Sequence, residues 1–156
     1  MSDVTSYWIP LCELVSQLRC WARMASRVDG KTWESQWGRL LTVPTPGYLE
    51  AAGGPVRIGD IEWVEVSTKR IRGGIAGRPR QMVDIKEEIL SGLHATGLTW
   101  ELRESFWSIE GVFDDESTQV VRVLNPFGPK QGKYLEIRWS FIARLQLDFL
   151  TRSAAV

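Results

Sequence analysis

The chain has 156 residues, 44% of them hydrophobic and 24% charged, with 19 basic side chains balancing 19 acidic ones. Such a length buries roughly 70% of the unfolded surface on folding, and the composition excludes the disordered, collagen-like and coiled-coil classes. Electroneutrality removes the overall electrostatic footprint of a dedicated nucleic-acid binder.

The first residues carry no cationic segment ahead of an apolar run, and no window reaches the ~18 apolar residues of a membrane span. They point to a cytoplasmic chain with no membrane partner. From Pro10 to Val28, residues Leu11, Leu14, Val15, Leu18, Trp21, Ala25 and Val28 fall on one helical stripe. The spacing predicts a helix with Pro10 at its first position and Gly30 at its left-handed exit. On that helix Cys12 and Cys20 are too far apart for a disulfide, so two free thiols are expected. Trp33, Trp37, Leu40 and Leu41 repeat the spacing behind Thr32 and predict a short second helix, weakened by Gly38. Prolines and glycines between Val43 and Pro55 predict a loop.

Ile61-Glu-Trp-Val-Glu-Val66 reads as a strand with partial burial on both faces. Asp84 and Glu87 form a capping-box pattern ahead of Ile85, Ile89, Leu90 and Leu93, predicting a helix that Gly97 closes. Leu98, Trp100 and Leu102 alternate with polar residues, as do Trp107, Ile109 and Phe113. With Glu104-Ser105 as a two-residue turn, Leu102 would face Trp107 and Trp100 would face Ile109. Asp114–Ser117 then turns the chain into a strand over 118–124, and Asn125-Pro-Phe-Gly-Pro129 turns it again. Alternation from Leu135 to Phe149 predicts a long bent strand, with helix as the alternative for 141–150. The sum is one α+β domain over 1–156, with N-terminal helices and one central helix on one face of an antiparallel β-meander.

Chemistry is thinly signalled. His94 is the only histidine, so any triad would run through it, and at a helix C-terminus its ordinary role is to face the dipole. One histidine and two distant cysteines do not make a structural zinc site, and Asp114-Asp115-Glu116 lacks the ligand alternation of a calcium loop. No cofactor, metal or catalytic set is therefore expected, and an enzyme working through His94 ranks last. Of the eight tryptophans, Trp21, Trp37, Trp100, Trp107 and Trp139 fall on predicted apolar faces, whereas Trp8, Trp33 and Trp63 are less constrained.

The charges, though balanced, are segregated. Residues 69–80 hold Lys69, Arg70, Arg72, Arg78 and Arg80 with no acid, while residues 84–116 hold nine carboxylates against Lys86 and Arg103. The basic, glycine-rich stretch matches neither a Walker loop nor a dinucleotide fingerprint. It reads as a solvated strand-to-helix connection, with phosphate or nucleic-acid binding through Arg70, Arg72, Arg78 and Arg80 as the alternative.

With Ile61-Glu-Trp-Val-Glu-Val66, the helix from Asp84 and Phe106-Trp-Ser-Ile-Glu-Gly111, the middle of the chain resembles immunity proteins of bacterial toxin–immunity systems, including those of contact-dependent growth inhibition. The resemblance implies a non-catalytic inhibitor that binds a cognate toxin domain tightly. Its binding surface would include the acidic residues Glu87, Glu88, Asp114, Asp115 and Glu116.

Overall fold

The computed structural model describes residues 3–106 and 117–129. Helix α1 spans Val4–Leu18, begun by the Asp3 carboxylate accepting from the Thr5 N–H at 3.0 Å. Pro10 therefore lies inside the helix, and the helix starts six residues before the predicted position. Its end is a Schellman-type stop: Arg19 adopts φ 53° and the Cys20 N–H donates to the Val15 carbonyl at 3.1 Å. The stripe Leu11, Leu14, Val15, Leu18 is helical, and its apparent continuation through Trp21, Ala25 and Val28 is not.

Ala22–Val28 instead forms strand β1, which returns as β2 (Lys31–Glu34) through Asp29 (φ 51°) and Gly30 (φ 75°). Two left-handed residues in a row make a type I′ turn, for which Asp-Gly is a favoured pair. Gly30 is left-handed as expected, but it turns a hairpin and ends no helix. The predicted helix behind Thr32 is replaced by β2 and an irregular stretch tied to β1, in which Ala22 and Gly38 exchange backbone hydrogen bonds of 2.8 and 3.0 Å. The predicted loop before Pro55 holds a second hairpin, β3 (Tyr48–Ala51) with β4 (Gly54–Arg57).

β5 (Ile61–Ser67) is the expected strand, buried along nearly all its length. A third hairpin follows, β6 (Lys69–Arg72) with β7 (Gln81–Asp84), so the basic stretch is not a simple strand-to-helix connection. Helix α2 (Lys86–His94) sits where expected, one residue later at its start: Ile85 is the cap residue and the Asp84 carboxylate accepts from the Lys86 N–H at 2.9 Å. β8 (Trp100–Phe106) runs straight through Glu104 and Ser105 and pairs with β9 (Ser117–Leu124). The two-residue turn is thus overturned, and Trp100 faces Val123, with Leu102 opposite Val121. The partner strand proposed from Trp107 to Phe113 and the long strand or helix after Leu135 lie outside the described residues.

The fold is α+β, with two α-helices and antiparallel pairing throughout among the described residues. Its main sheet has the order β2-β1-β5-β9-β8, so β5, unlike a meander strand, is inserted between β1 and β9. Cross-strand pairs Ala22↔Val66, Met24↔Val64 and Val64↔Val123 align apolar residues. They share one buried cluster with Trp8, Leu11 and Val15 of α1 and Ile89 and Leu93 of α2. Fully burying each such side chain is worth about 1.5–3 kcal/mol. The Tyr7 hydroxyl ties α1 to the sheet, donating to the Leu124 carbonyl at 3.0 Å and accepting from the Thr99 N–H at 3.2 Å.

Trp8 and Trp63, which the sequence left unconstrained, are buried, whereas Trp21, Trp37 and Trp100 are only half-buried and Trp33 is exposed. Trp107 and Trp139 lie outside the described residues. Trp63 lies two residues along β5 from a row of alternate charges crossing the sheet, Arg23↔Glu65↔Arg122↔Glu101. The Glu65 side chain is 1% exposed and accepts from Arg23 Nε at 2.7 Å and from Arg122 Nη2 at 2.7 Å. Both guanidiniums also lie over the Trp63 ring, at 5.3 and 4.1 Å from its centroid.

Candidate anion-binding groove

Helix α1 must stop where Arg19 turns left-handed, and a left-handed conformation costs a non-glycine residue roughly 1–2 kcal/mol. Arg19 therefore stands against its local backbone preference, and strained residues of this kind cluster at functional sites. Its side chain is exposed beside the end of the helix. The Ala22–Gly38 backbone bridge carries the next residue, Arg39, to the same place, and its guanidinium lies 5.4 Å from the Trp21 ring centroid. Strand β6 supplies Arg70 and Arg72, two residues apart and so directed to one side of the strand. Arg70 Nη1 donates to the Leu18 carbonyl at 2.9 Å, which both satisfies the helix end and fixes the side chain.

These four arginines, with Gln17, Ile71, Gly73 and Ile75, line a groove of about 570 Å³. Among the described residues no carboxylate lines it, and none of Arg19, Arg39, Arg70 and Arg72 has an acidic partner within 4.0 Å. Four guanidiniums raise the potential of such a concavity and offer forked donors to an anion. A second cavity of about 770 Å³ adjoins it, sharing Gln17, Arg19 and Arg39, and reaches Cys12, Val15, Leu40 and Leu41.

The four arginines proposed from the sequence are divided by the hairpin. Arg70 and Arg72 enter the groove. Arg80 does not line it but folds over Gly74, where a Cβ would come within 2.6 Å of its Cγ. Arg78 is exposed in the same connection. Arg19 and Arg39 were missed because their relation to Arg70 exists only in three dimensions. The single local hint was a polar, non-glycine residue at the break in the α1 stripe.

The thiols nearby are inert at neutral pH. Burial pushes Cys12 up to about 11 and Cys20 up to about 12, the latter against the opposing pull of the Arg70 charge. Both are free, and Cys20 lies beyond the helix end and not on it. Of the proposed acidic surface, Glu87 and Glu88 are exposed on the first turn of α2, and Asp114, Asp115 and Glu116 lie outside the described residues. His94 ends α2 and meets Trp100 edge-on at 5.6 Å. Among the described residues no group of three or more His, Cys, Asp and Glu side chains could hold a metal ion, and no helix is long and apolar enough to cross a membrane.

No family model, no curated protein and no solved structure matches this chain. Its function has to be argued from its own residues.

Proposed function

We propose that this chain is a non-catalytic binding protein whose principal ligand is anionic and is held by Arg19, Arg39, Arg70 and Arg72. The observation that carries this reading is that four arginines from three separate segments line one groove, with no carboxylate among its described lining residues. Arginines that serve only solubility are normally spread among acids on a surface; here local strain at Arg19 and a helix-end contact at Arg70 hold the cations together. Isothermal titration with pyrophosphate tests it. Binding should weaken by about tenfold for each of Arg39→Gln and Arg72→Gln, as loss of one charge-assisted contact requires. Wild-type protein that binds no phosphate-bearing anion at low salt would end the proposal.

A second reading, neutralisation of a cognate bacterial toxin by protein–protein binding, is favoured by the exposed carboxylates Glu87 and Glu88 and the exposed Asp84 beside them. Acidic patches speed association with basic partners, and buried aromatic contacts supply most of the affinity. The test is co-purification with the product of the neighbouring upstream gene. A product that is neither toxic nor bound removes this reading and leaves the groove untouched.

A further inference from the structure

Resting on the groove as an anion site, we infer that its ligand is a nucleotide, with the phosphates on the arginines and the nucleoside in the adjoining cavity. The two compartments share Gln17, Arg19 and Arg39 as lining residues and differ in chemistry. The first has four cations and, among the described residues, no anion. The second combines apolar walls from Val15, Leu40 and Leu41 with the polar groups of Glu13, Ser16 and Thr42. A bare oxyanion would leave that second space unused.

The ligand's body has to be neutral, because the Glu13 carboxylate would repel a second anionic group there. It also has to offer hydrogen-bond donors and acceptors, because Glu13 accepts only and the Ser16 and Thr42 hydroxyls do both. A long acyl chain meets neither condition, whereas a ribose and a base meet both. Glu13 and the arginines thus orient the molecule, phosphates toward Arg70 and Arg72 and hydroxyls toward α1. The volumes, about 570 and 770 Å³, each fall in the range of small-molecule sites. The Cys12 thiol, protonated at neutral pH, is part of the apolar wall and takes no chemical part.

The test compares pyrophosphate, the diphosphates of adenosine, guanosine, cytidine and uridine, the free nucleosides, and a single-stranded oligodeoxynucleotide by calorimetry on the intact chain. At least one nucleoside diphosphate should bind roughly tenfold or more tightly than pyrophosphate, with its free nucleoside weak. Ser16→Leu, an exposed helix position that narrows the second compartment without changing charge, should abolish that gain and leave pyrophosphate binding intact. Arg72→Gln should weaken both ligands alike. Equal affinity for pyrophosphate and every nucleotide would overturn the nucleotide assignment and leave the anion groove standing. So would an oligonucleotide bound more tightly than any mononucleotide. Absence of binding by pyrophosphate and nucleotides alike would overturn the groove itself.

Discussion

The molecule holds two arginine clusters built on opposite principles. Around Glu65, Arg23 and Arg122 cross the sheet and close on one buried carboxylate, with Glu34 and Ser105 taking further Arg23 donors and Trp63 lying against both guanidiniums. Around the end of α1, Arg19, Arg39, Arg70 and Arg72 line an open groove with no acid among its described lining residues. One cluster uses its donors internally and the other leaves most of them outward. Arginine content alone cannot separate cohesion from recognition; the placement of carboxylates does.

The largest effect that would break this contrast is on stability. Glu65→Ala strands two partly buried guanidiniums and should cost about 3–5 kcal/mol in urea unfolding. The double substitution Arg39→Gln/Arg72→Gln should stay within about 0.5 kcal/mol per site, as for exposed positions. Comparable losses in the two cases would show that the groove arginines are structural. Next comes ligand affinity, where the order reverses: Arg39→Gln/Arg72→Gln should lower pyrophosphate affinity by about a hundredfold if the two contacts add. Raising salt should erode the wild-type affinity, since these charges are exposed and screened.

Arg19 sharpens the contrast within a single residue. Arg19→Gly relieves the left-handed strain and should raise stability by about 0.5–1 kcal/mol after the extra entropy of the unfolded glycine. The same substitution should weaken anion binding. A variant that gains stability and keeps full anion binding would show that Arg19 serves the helix end and nothing more.

The smallest effect is alkaline. Burial favours the neutral thiols, so Cys12 and Cys20 contribute stability that is whole below the ordinary thiol value of 9.0 and fades as pH climbs through about 11 and 12. Cys12→Ser/Cys20→Ala should flatten the fall in unfolding free energy above pH 9.0. An unchanged slope would assign the alkaline loss to other groups.

Sequence reading succeeded where one local pattern met one physical demand. Ile61–Val66 is too β-branched and aromatic for anything but a buried strand, and Ile85, Ile89, Leu90 and Leu93 can share a face on a helix but not on a strand. It failed where two periodicities overlapped. Trp21, Ala25 and Val28 extend the α1 stripe by coincidence of spacing, and the decisive signals were the hairpin pair Asp29-Gly30 and a helix stop written in arginine instead of glycine. Glu104-Ser105 looked like a turn because both residues are polar, but strand β8 carries Glu104 opposite Gln119 and Ser105 opposite Thr118. The groove was half legible. Arg70 and Arg72 stood out by local charge density, whereas Arg19 and Arg39 are separated from them by a hairpin, a helix end and most of a sheet.

The order β2-β1-β5-β9-β8 also dictates a schedule. Strand β5 must accept β1 on one edge and β9 on the other, and the Tyr7 hydroxyl finds its acceptor, the Leu124 carbonyl, 117 residues further along. Closing loops of that span is slow, because chain entropy is lost before the contacts that reward it can form. On the ribosome, α1 and the β1–β2 hairpin emerge long before the strand that completes their sheet. Until Ser117–Leu124 appears, one edge of β5 and the apolar face of α1 stay open to other chains. The nascent chain therefore carries an unpaired strand edge until residues 117–124 have been made.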